Sequence, residues 1–289
     1  MKITLSVLGT AQDAGVPHIN CFCKNCSQAI RNPIYRRLAA SLALVCPEKN
    51  RWHLIDCTPD FREQMRHIQE RYHLNGKPMD HIFLTHAHMG HFPGILYLGK
   101  EAMNTQQQPV LVGNDMKSML ERNAPWKKLI TDDNISLTSL AHHRPFTIQE
   151  NVRIQPFNVP HRNEFSETFG FWINGPQKKV LYIPDIDDWN EWETDIYNAC
   201  QAADICILDG TFHSKADLSD ISRNYEQIPH PFMTDTMDRL QELVSSGKTD
   251  VYFTHLNHSN PVLDEHSDER NTLIKRGFKI AQEGMEWDL

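Results

Sequence analysis

Three histidines lie close together in His86-Ala-His88-Met-Gly-His91, just past the apolar segment His81-Ile-Phe-Leu-Thr. Imidazole is the commonest protein ligand for zinc, iron and related ions, because the neutral ring offers a lone pair near physiological pH. In extended chain His86 and His88 point the same way, and a turn or a new helix can bring His91 round to the same centre. A polar loop at a strand end would explain such a triplet standing alone. Three other apolar segments, however, also end in metal-ligand types: Val159-Pro-His161, Tyr182-Ile-Pro-Asp185 and Phe253-Thr-His255-Leu-Asn-His258. Each by itself reads as a turn residue or cap; together they are further candidate ligands, set out in a fixed order along the chain.

A second cluster is built on sulfur. Cys21-Phe-Cys23-Lys-Asn-Cys26 packs three thiols into six residues. Three cysteines with one histidine make a standard tetrahedral site for structural Zn2+. His255 and His258 are three apart, so in irregular chain they can face opposite ways, one toward the histidine centre and one toward the thiols. His258 is then the fourth zinc ligand, and the metal would pin the loop carrying Gln12 and Asp13 against the wall of the histidine centre. Cys46, Cys57, Cys200 and Cys206 sit in apolar contexts and read as small buried hydrophobes. Seven cysteines in a chain whose opening shows no cleavage site argue against a disulfide framework.

The elements that must position these residues are short apolar strands broken by turns. Expected strands are Ile3 to Leu8, Ser41 to Cys46, Trp52 to Cys57, His81 to Thr85, Val110 to Val112, Ile135 to Leu140, Val152 to Val159, Phe169 to Ile173, Val180 to Ile183, Ile205 to Leu208 and Val251 to Thr254. Phe61, Met65, Ile68 and Tyr72 make one helical stripe, with Asp60 and Glu63 suited to its N-terminal dipole. Further helical patterns cover Trp189 to Ala202, Met237 to Val244 ahead of Gly247, and a last helix ending at Gly277. Strands mixed with helices fit sheet layers covered by helices, with function at the strand ends. The 289 residues show no linker or low-complexity break, so residues 1–289 read as a single domain. A net charge of −8 with scattered Lys and Arg leaves no footprint for a long nucleic acid. Without an apolar run of membrane-spanning length or a signal peptide, the expected compartment is the cytoplasm, with no membrane partner.

The order HxHxxH, His, Asp, His resembles the metallo-β-lactamase superfamily. That resemblance implies a four-layer αββα sandwich of α/β (α+β) class, with one or two divalent metals (Zn2+, Mn2+ or Fe2+) at the strand ends. It assigns His86, His88 and His161 to the first metal and His91 and His255 to the second, with Asp185 as the bridge and a catalytic residue. Two cations acidify a water near neutral pH and polarise the carbonyl or phosphoryl oxygen that it attacks. The superfamily motif is HxHxDH, and here Gly90 stands at the Asp position. The second site therefore keeps three ligands where the family has four, unless another carboxylate such as Asp13 compensates.

The CxCxxC loop and the paired histidines resemble the phosphodiesterase family of the carbon-phosphorus lyase pathway. A longer resemblance runs through Leu8-Gly-Thr-Ala-Gln-Asp-Ala-Gly15, Asp209-Gly-Thr-Phe, Ile228-Pro-His-Pro, His255-Leu-Asn-His-Ser-Asn-Pro261 and Gly284-Met-Glu, to the pyrroloquinoline quinone biosynthesis protein B family. That family lacks the full hydrolase histidine set, which this chain keeps. The expected activity is hydrolysis of a small phosphodiester or related ester. The alternatives are iron-dependent oxidative chemistry, or a non-catalytic metal-binding protein in which Gly90 marks lost activity. His230, held between Pro229 and Pro231, is a candidate for substrate binding or proton transfer, whereas His213 reads more simply as a surface-loop histidine. Asp209 is either a supporting carboxylate or a turn former. The expected partner is a small-molecule substrate. A homodimer is compatible with the sequence but not specified by it.

Overall fold

The computed structural model describes residues 2–149, 151–218 and 229–289; Met1 and Ile228, the first residue of one of the motifs above, lie outside the described residues. The first sheet holds β1 (Thr4–Gly9), β2 (Ser41–Cys46), β3 (Arg51–Ile55), β4 (His81–Phe83), β5 (Gln108–Val112), β6 (Ile135–Ser139) and the last strand, β14 (Glu286–Asp288). Their spatial order is β14-β1-β2-β3-β4-β5-β6. The second sheet holds β7 (Phe146–Gln149), β8 (Val152–Asn158), β9 (Phe169–Asn174), β10 (Lys179–Ile183), β11 (Ile205–Asp209), β12 (Asp250–Thr254) and β13 (Lys279–Ile280), in the order β13-β12-β11-β10-β9-β8-β7. The two sheets share a plan. Pairing is antiparallel from β14 to β3 and parallel from β3 to β6. It is antiparallel from β7 to β10 and parallel from β10 to β13.

Alternation along the strands sorts side chains into three apolar layers, because successive residues face opposite sides of a sheet. Leu42 and Leu44 of β2 and Val180 and Tyr182 of β10 meet in the core between the sheets. Their neighbours Ala43 and Val45 turn outward to the layer under α2 (Phe61–Tyr72), α3 (Asn114–Arg122) and α4 (Ala124–Thr131). Leu181 and Ile183 turn the other way, to the layer under α5 (Ile196–Gln201), α6 (Met233–Ser245) and α7 (Asp268–Lys275). With both faces covered, central strands such as Ser41-Leu-Ala-Leu-Val-Cys46 are buried at every position. The result is an αββα sandwich. None of the described helices is long and apolar enough to cross a membrane.

Two local expectations change. Trp189 and Trp192 belong to a loop, and the helix of this region is confined to α5, where the Asp195 side chain accepts from Asn198 N. Their apolar pattern reflects anchoring of that loop: Trp189 Nε1 donates to Thr236 Oγ1 at 2.8 Å and Trp192 Nε1 to the Asn158 carbonyl at 3.1 Å. The cysteine segment, read as turn-rich, runs into α1 (Lys24–Arg31), which carries Cys26 in its first turn.

The loop between β13 and β14 closes the first sheet's edge and carries Glu283, which accepts from Leu38 N at 2.6 Å. Glu283 also lines a cleft of about 480 Å³ with Leu8, Ile68 and Arg71. Burial pushes its carboxyl up from 4.5 to about 7, against the pull of the Leu38 amide and Arg37. The native state therefore holds this proton more tightly than the unfolded chain between those values, and the group costs stability as pH rises through that window. Glu283→Gln keeps an acceptor for Leu38 N and has no proton to lose. It should be more stable than the parent at pH 8 by about 1–3 kcal/mol and nearly equal at pH 4.5, as read by urea unfolding at the two pH values. Equal stability at pH 8 would show that Glu283 ionises without cost.

Candidate metal centre

The strands β1, β3, β4, β8, β10, β11 and β12 point the same way within their sheets, and their carboxyl ends gather at one edge of the sandwich. Open sheets commonly bind ligands at such strand ends. Asp13 follows β1 and Asp56 follows β3, and the His86 to His91 turn follows β4. His161 follows β8, Asp185 follows β10, Asp209 ends β11 and His255 follows β12. The sheets are tied together at this point, where Phe169 N donates to the Thr85 carbonyl at 3.0 Å and Ala87 N to Ser166 Oγ at 2.9 Å.

Each imidazole is held by one nitrogen and presents the other. His86 Nδ1 lies 3.0 Å from Thr85 Oγ1, His91 Nδ1 2.8 Å from Asp56 Oδ2, and His255 Nδ1 2.9 Å from Thr211 Oγ1. Their Nε2 atoms are buried and have no hydrogen-bond partner among the described residues. His161 Nδ1 is 2.6 Å from Asp187 Oδ1, and its Nε2 faces His88 Nδ1 at 3.0 Å. His88 uses Nε2 to reach Glu164 at the exposed rim, 3.1 Å away. Fixing one ring nitrogen sets the tautomer and aim of the other, as partners behind metal-ligating histidines do. Asp185 stands between the two groups of rings. Its Oδ2 is 3.4 Å from His86 Nε2 and 3.6 Å from both His91 Nε2 and His255 Nε2, while Oδ1 is 3.3 Å from His161 Nε2.

These atoms fall into cation-sized groups. His86, His88, His161 and Asp185 bring their ligand atoms within 4.8 Å of one another, and so do Asp13, His91 and His255. Three orphaned, buried imidazole nitrogens converging on one carboxylate would be costly in a site meant to stay empty. The donor set is nitrogen and carboxylate oxygen, which suits a divalent metal and does not by itself choose among Zn2+, Mn2+ and Fe2+.

The electrostatics agree. Burial raises the Asp185 carboxyl, but His161, His255 and His230 outweigh it and hold it well below its ordinary range. Burial also opposes charge on His91 and His161, yet Asp56 and Asp185 lift His91 to about 10, and Asp185 and Asp187 lift His161 to about 9. His86 is pushed well below its usual value by burial and by His91. The carboxylates around these rings thus favour positive charge in the centre, as they would favour a bound cation.

His230 is fully buried beside this centre. Its Nδ1 is 2.8 Å from Asp209 Oδ2 and 3.3 Å from Asp185 Oδ1. Desolvation opposes its protonation, and Asp209 and Asp185 overcome that and raise it. Asp209 also accepts from Ile186 N at 3.1 Å and Thr211 N at 2.9 Å, so it both supports His230 and shapes the turn. His213 is not a surface residue; it is buried where the segment after β11 meets the N-terminal end of α6, with Thr234 N donating to the His213 carbonyl at 3.1 Å. Asp56, Thr85, Asp187 and Thr211 are the supporting residues that sequence reasoning passed over. Asp56 had a signal, since it is an acidic residue directly after an apolar strand.

The thiol cluster lies against the segment after β12, three residues beyond His255. Cys21 Sγ and Cys23 Sγ are 3.4 and 3.6 Å from His258 Nδ1, and the four groups Cys21, Cys23, Cys26 and His258 form one metal-sized set. Asn25 Nδ2 donates to the carbonyls of His258 and Asn260 at 3.0 Å each, locking α1 onto the segment after β12. Burial pushes the Cys26 thiol up to about 12, and the neighbouring thiols add to that against the His18 amide. A cation among the three sulfurs would favour their thiolate form and bind them as ligands.

The β-lactamase superfamily domain family matches residues 51–256, more than half of the chain. Coenzyme PQQ synthesis protein B of Ruegeria pomeroyi is 26% identical over 312 aligned positions, covering 99% of each chain. The crystal structure of Zn(2+)-bound PqqB from Methylobacterium extorquens superposes with a TM-score of 0.82 at 24% identity, over 99% of this chain and 100% of that one. A diphosphatase from the PhnP family gives 0.67 at 23% identity, over 100% and 98%. The likeness to both solved structures is one of fold.

Proposed function

We propose, for a chain that belongs to the β-lactamase superfamily, a metal-dependent hydrolase acting on a small anionic ester, with a phosphodiester as the first substrate class. The observation that carries this reading is the set of His86, His91 and His255 Nε2 atoms, buried, unpartnered and directed at Asp185. Divalent cations held there would acidify a water and polarise the ester oxygen it attacks. The chain's own groups supply the rest. His86, His88 and His161 would hold the first cation, and His91 and His255 the second, with Asp185 available to both. His230, anchored by Asp209 and with its protonation favoured by Asp209 and Asp185, would in its protonated form stabilise negative charge or return a proton to a leaving oxygen. Arg162 supports an anionic substrate: its Nη2 lies 3.5 Å from His161 Nε2 at the edge of the centre, and its buried Nε has no partner among the described residues. A single small phosphodiester needs no broader basic surface, in keeping with the net charge of −8.

A second reading, iron-dependent oxidation, is favoured by the full-length similarity to PQQ synthesis protein B. One panel separates them. Protein purified without chelator is loaded with Zn2+, Mn2+ or Fe2+ and offered a bis-aryl phosphodiester, a thioester and a lactam, with and without oxygen. The hydrolytic reading expects metal-dependent turnover of the phosphodiester that is unchanged under anaerobic conditions. Oxygen uptake by the iron form with no hydrolysis of any substrate would overturn it.

A further inference from the structure

Gly90 leaves the second group of ligands one carboxylate short in its own sequence segment, and the structure places a carboxylate there from elsewhere. Asp13, just past β1, accepts from Gly90 N through Oδ1 at 3.2 Å. A carboxylate has a second oxygen with which to meet a cation. The Asp13, His91 and His255 ligand atoms lie within 4.8 Å of one another, beside Asp185 Oδ2. The approach is close enough to make Gly90 obligatory: a Cβ built there would stand 2.7 Å from Asp13 Cα and 3.1 Å from Asp13 N. The Asp13 backbone therefore passes too close for any side chain at 90, and the carboxylate reaches this place from position 13 instead.

The backbone around Asp13 is arranged for this delivery. Asp13 takes a positive φ of 38° and Gly15 one of 73°, a turn in which aspartate and asparagine are among the few tolerated side chains. The preceding residues are tied to the segment that carries His255. Gln12 N donates to the Leu256 carbonyl at 3.0 Å, Leu256 N to the Thr10 carbonyl at 2.8 Å, and Asn257 Nδ2 to Gln12 Oε1 at 2.6 Å. From Asp13 the chain runs on to Cys21, Cys23 and Cys26, which converge on His258 at the end of that same segment.

We infer that Asp13 is the oxygen ligand of the second cation, replacing the side chain that Gly90 lacks. The inference rests on the reading of this centre as a two-cation site. The test is a Mn2+ titration followed by electron paramagnetic resonance of the free ion, on protein whose zinc content and melting temperature are checked first. The parent should bind two Mn2+ per chain at the histidine centre. Asp13→Asn keeps the turn and the acceptor for Gly90 N but removes the charge, and should weaken the second Mn2+ by at least about tenfold while sparing the first. Gly90→Ala removes no ligand, yet its methyl group must push the Asp13 backbone away, and it should weaken the same cation. Two Mn2+ bound by Asp13→Asn with the parent's affinities would overturn the inference alone. A parent that binds fewer than two Mn2+ at the histidine centre would overturn the two-cation reading, and the inference with it.

Discussion

Replacing Cys23 by serine should cost one zinc per chain and lower the melting temperature by roughly 10 °C. Cys23 is the N-cap of α1, and its sulfur stands between Cys21, Cys26 and His258, so a serine oxygen there leaves a three-ligand site for a soft cation. The residues that lose their tether are those from Ala11 to α1, which bury only a small apolar cluster of Ala11, Val16 and Ala29. With so little apolar burial beside its hydrogen bonds to Arg37 and Leu256, the segment should gain several kcal/mol of stability from a metal cross-link. The same change should also weaken the second Mn2+ at the histidine centre, because the loop that a metal on the thiols would hold in place carries Asp13. Elemental analysis and calorimetry of the purified variant check the prediction. Unchanged zinc content and melting temperature would show that the thiols hold no structural metal.

The sandwich could be read from the sequence wherever burial on both faces made a strand continuously apolar. Ser41–Cys46 was readable residue for residue, and so was the helix Phe61–Tyr72 with its regular stripe. The short edge strands β7, β13 and β14 were not, because two to four residues carry too little periodicity to stand out from a loop. The false helix over Trp189 and Trp192 has a different cause. Indole rings anchored through their N–H groups mimic helical spacing without any helical backbone.

The site was legible as ligand types but not as geometry. Histidines and an aspartate after apolar segments can be listed from the chain, whereas Asp56 behind His91, Thr211 behind His255 and Asp187 behind His161 are set by how the two sheets dock. His213 shows the limit most plainly, since nothing in its neighbours distinguishes a buried loop from an exposed one. Gly90 shows the reverse. Its departure from the superfamily motif raised the question of the missing ligand, but the reason a side chain cannot stand there is the Asp13 backbone, which is 77 positions away in sequence.

Asp185→Asn should reduce metal-dependent phosphodiester hydrolysis by more than about a hundredfold, since losing even a partner behind a metal ligand commonly costs about ten- to a hundredfold. The substitution preserves shape and one oxygen, so the surrounding cores have no reason to repack. What it removes is the negative charge that faces His86, His91, His161, His230 and His255 at once. Without that charge, neighbouring cations would repel each other across the centre with nothing between them, and His230 would lose one of the two carboxylates that favour its protonation. Both subsites should therefore bind metal more weakly, while the thiol-bound zinc, which shares no ligand with them, remains at one per chain. Steady-state rates with saturating metal, together with metal stoichiometry, distinguish loss of cation from loss of chemistry. An Asp185→Asn protein that kept activity within tenfold of the parent would place the reaction somewhere other than this centre.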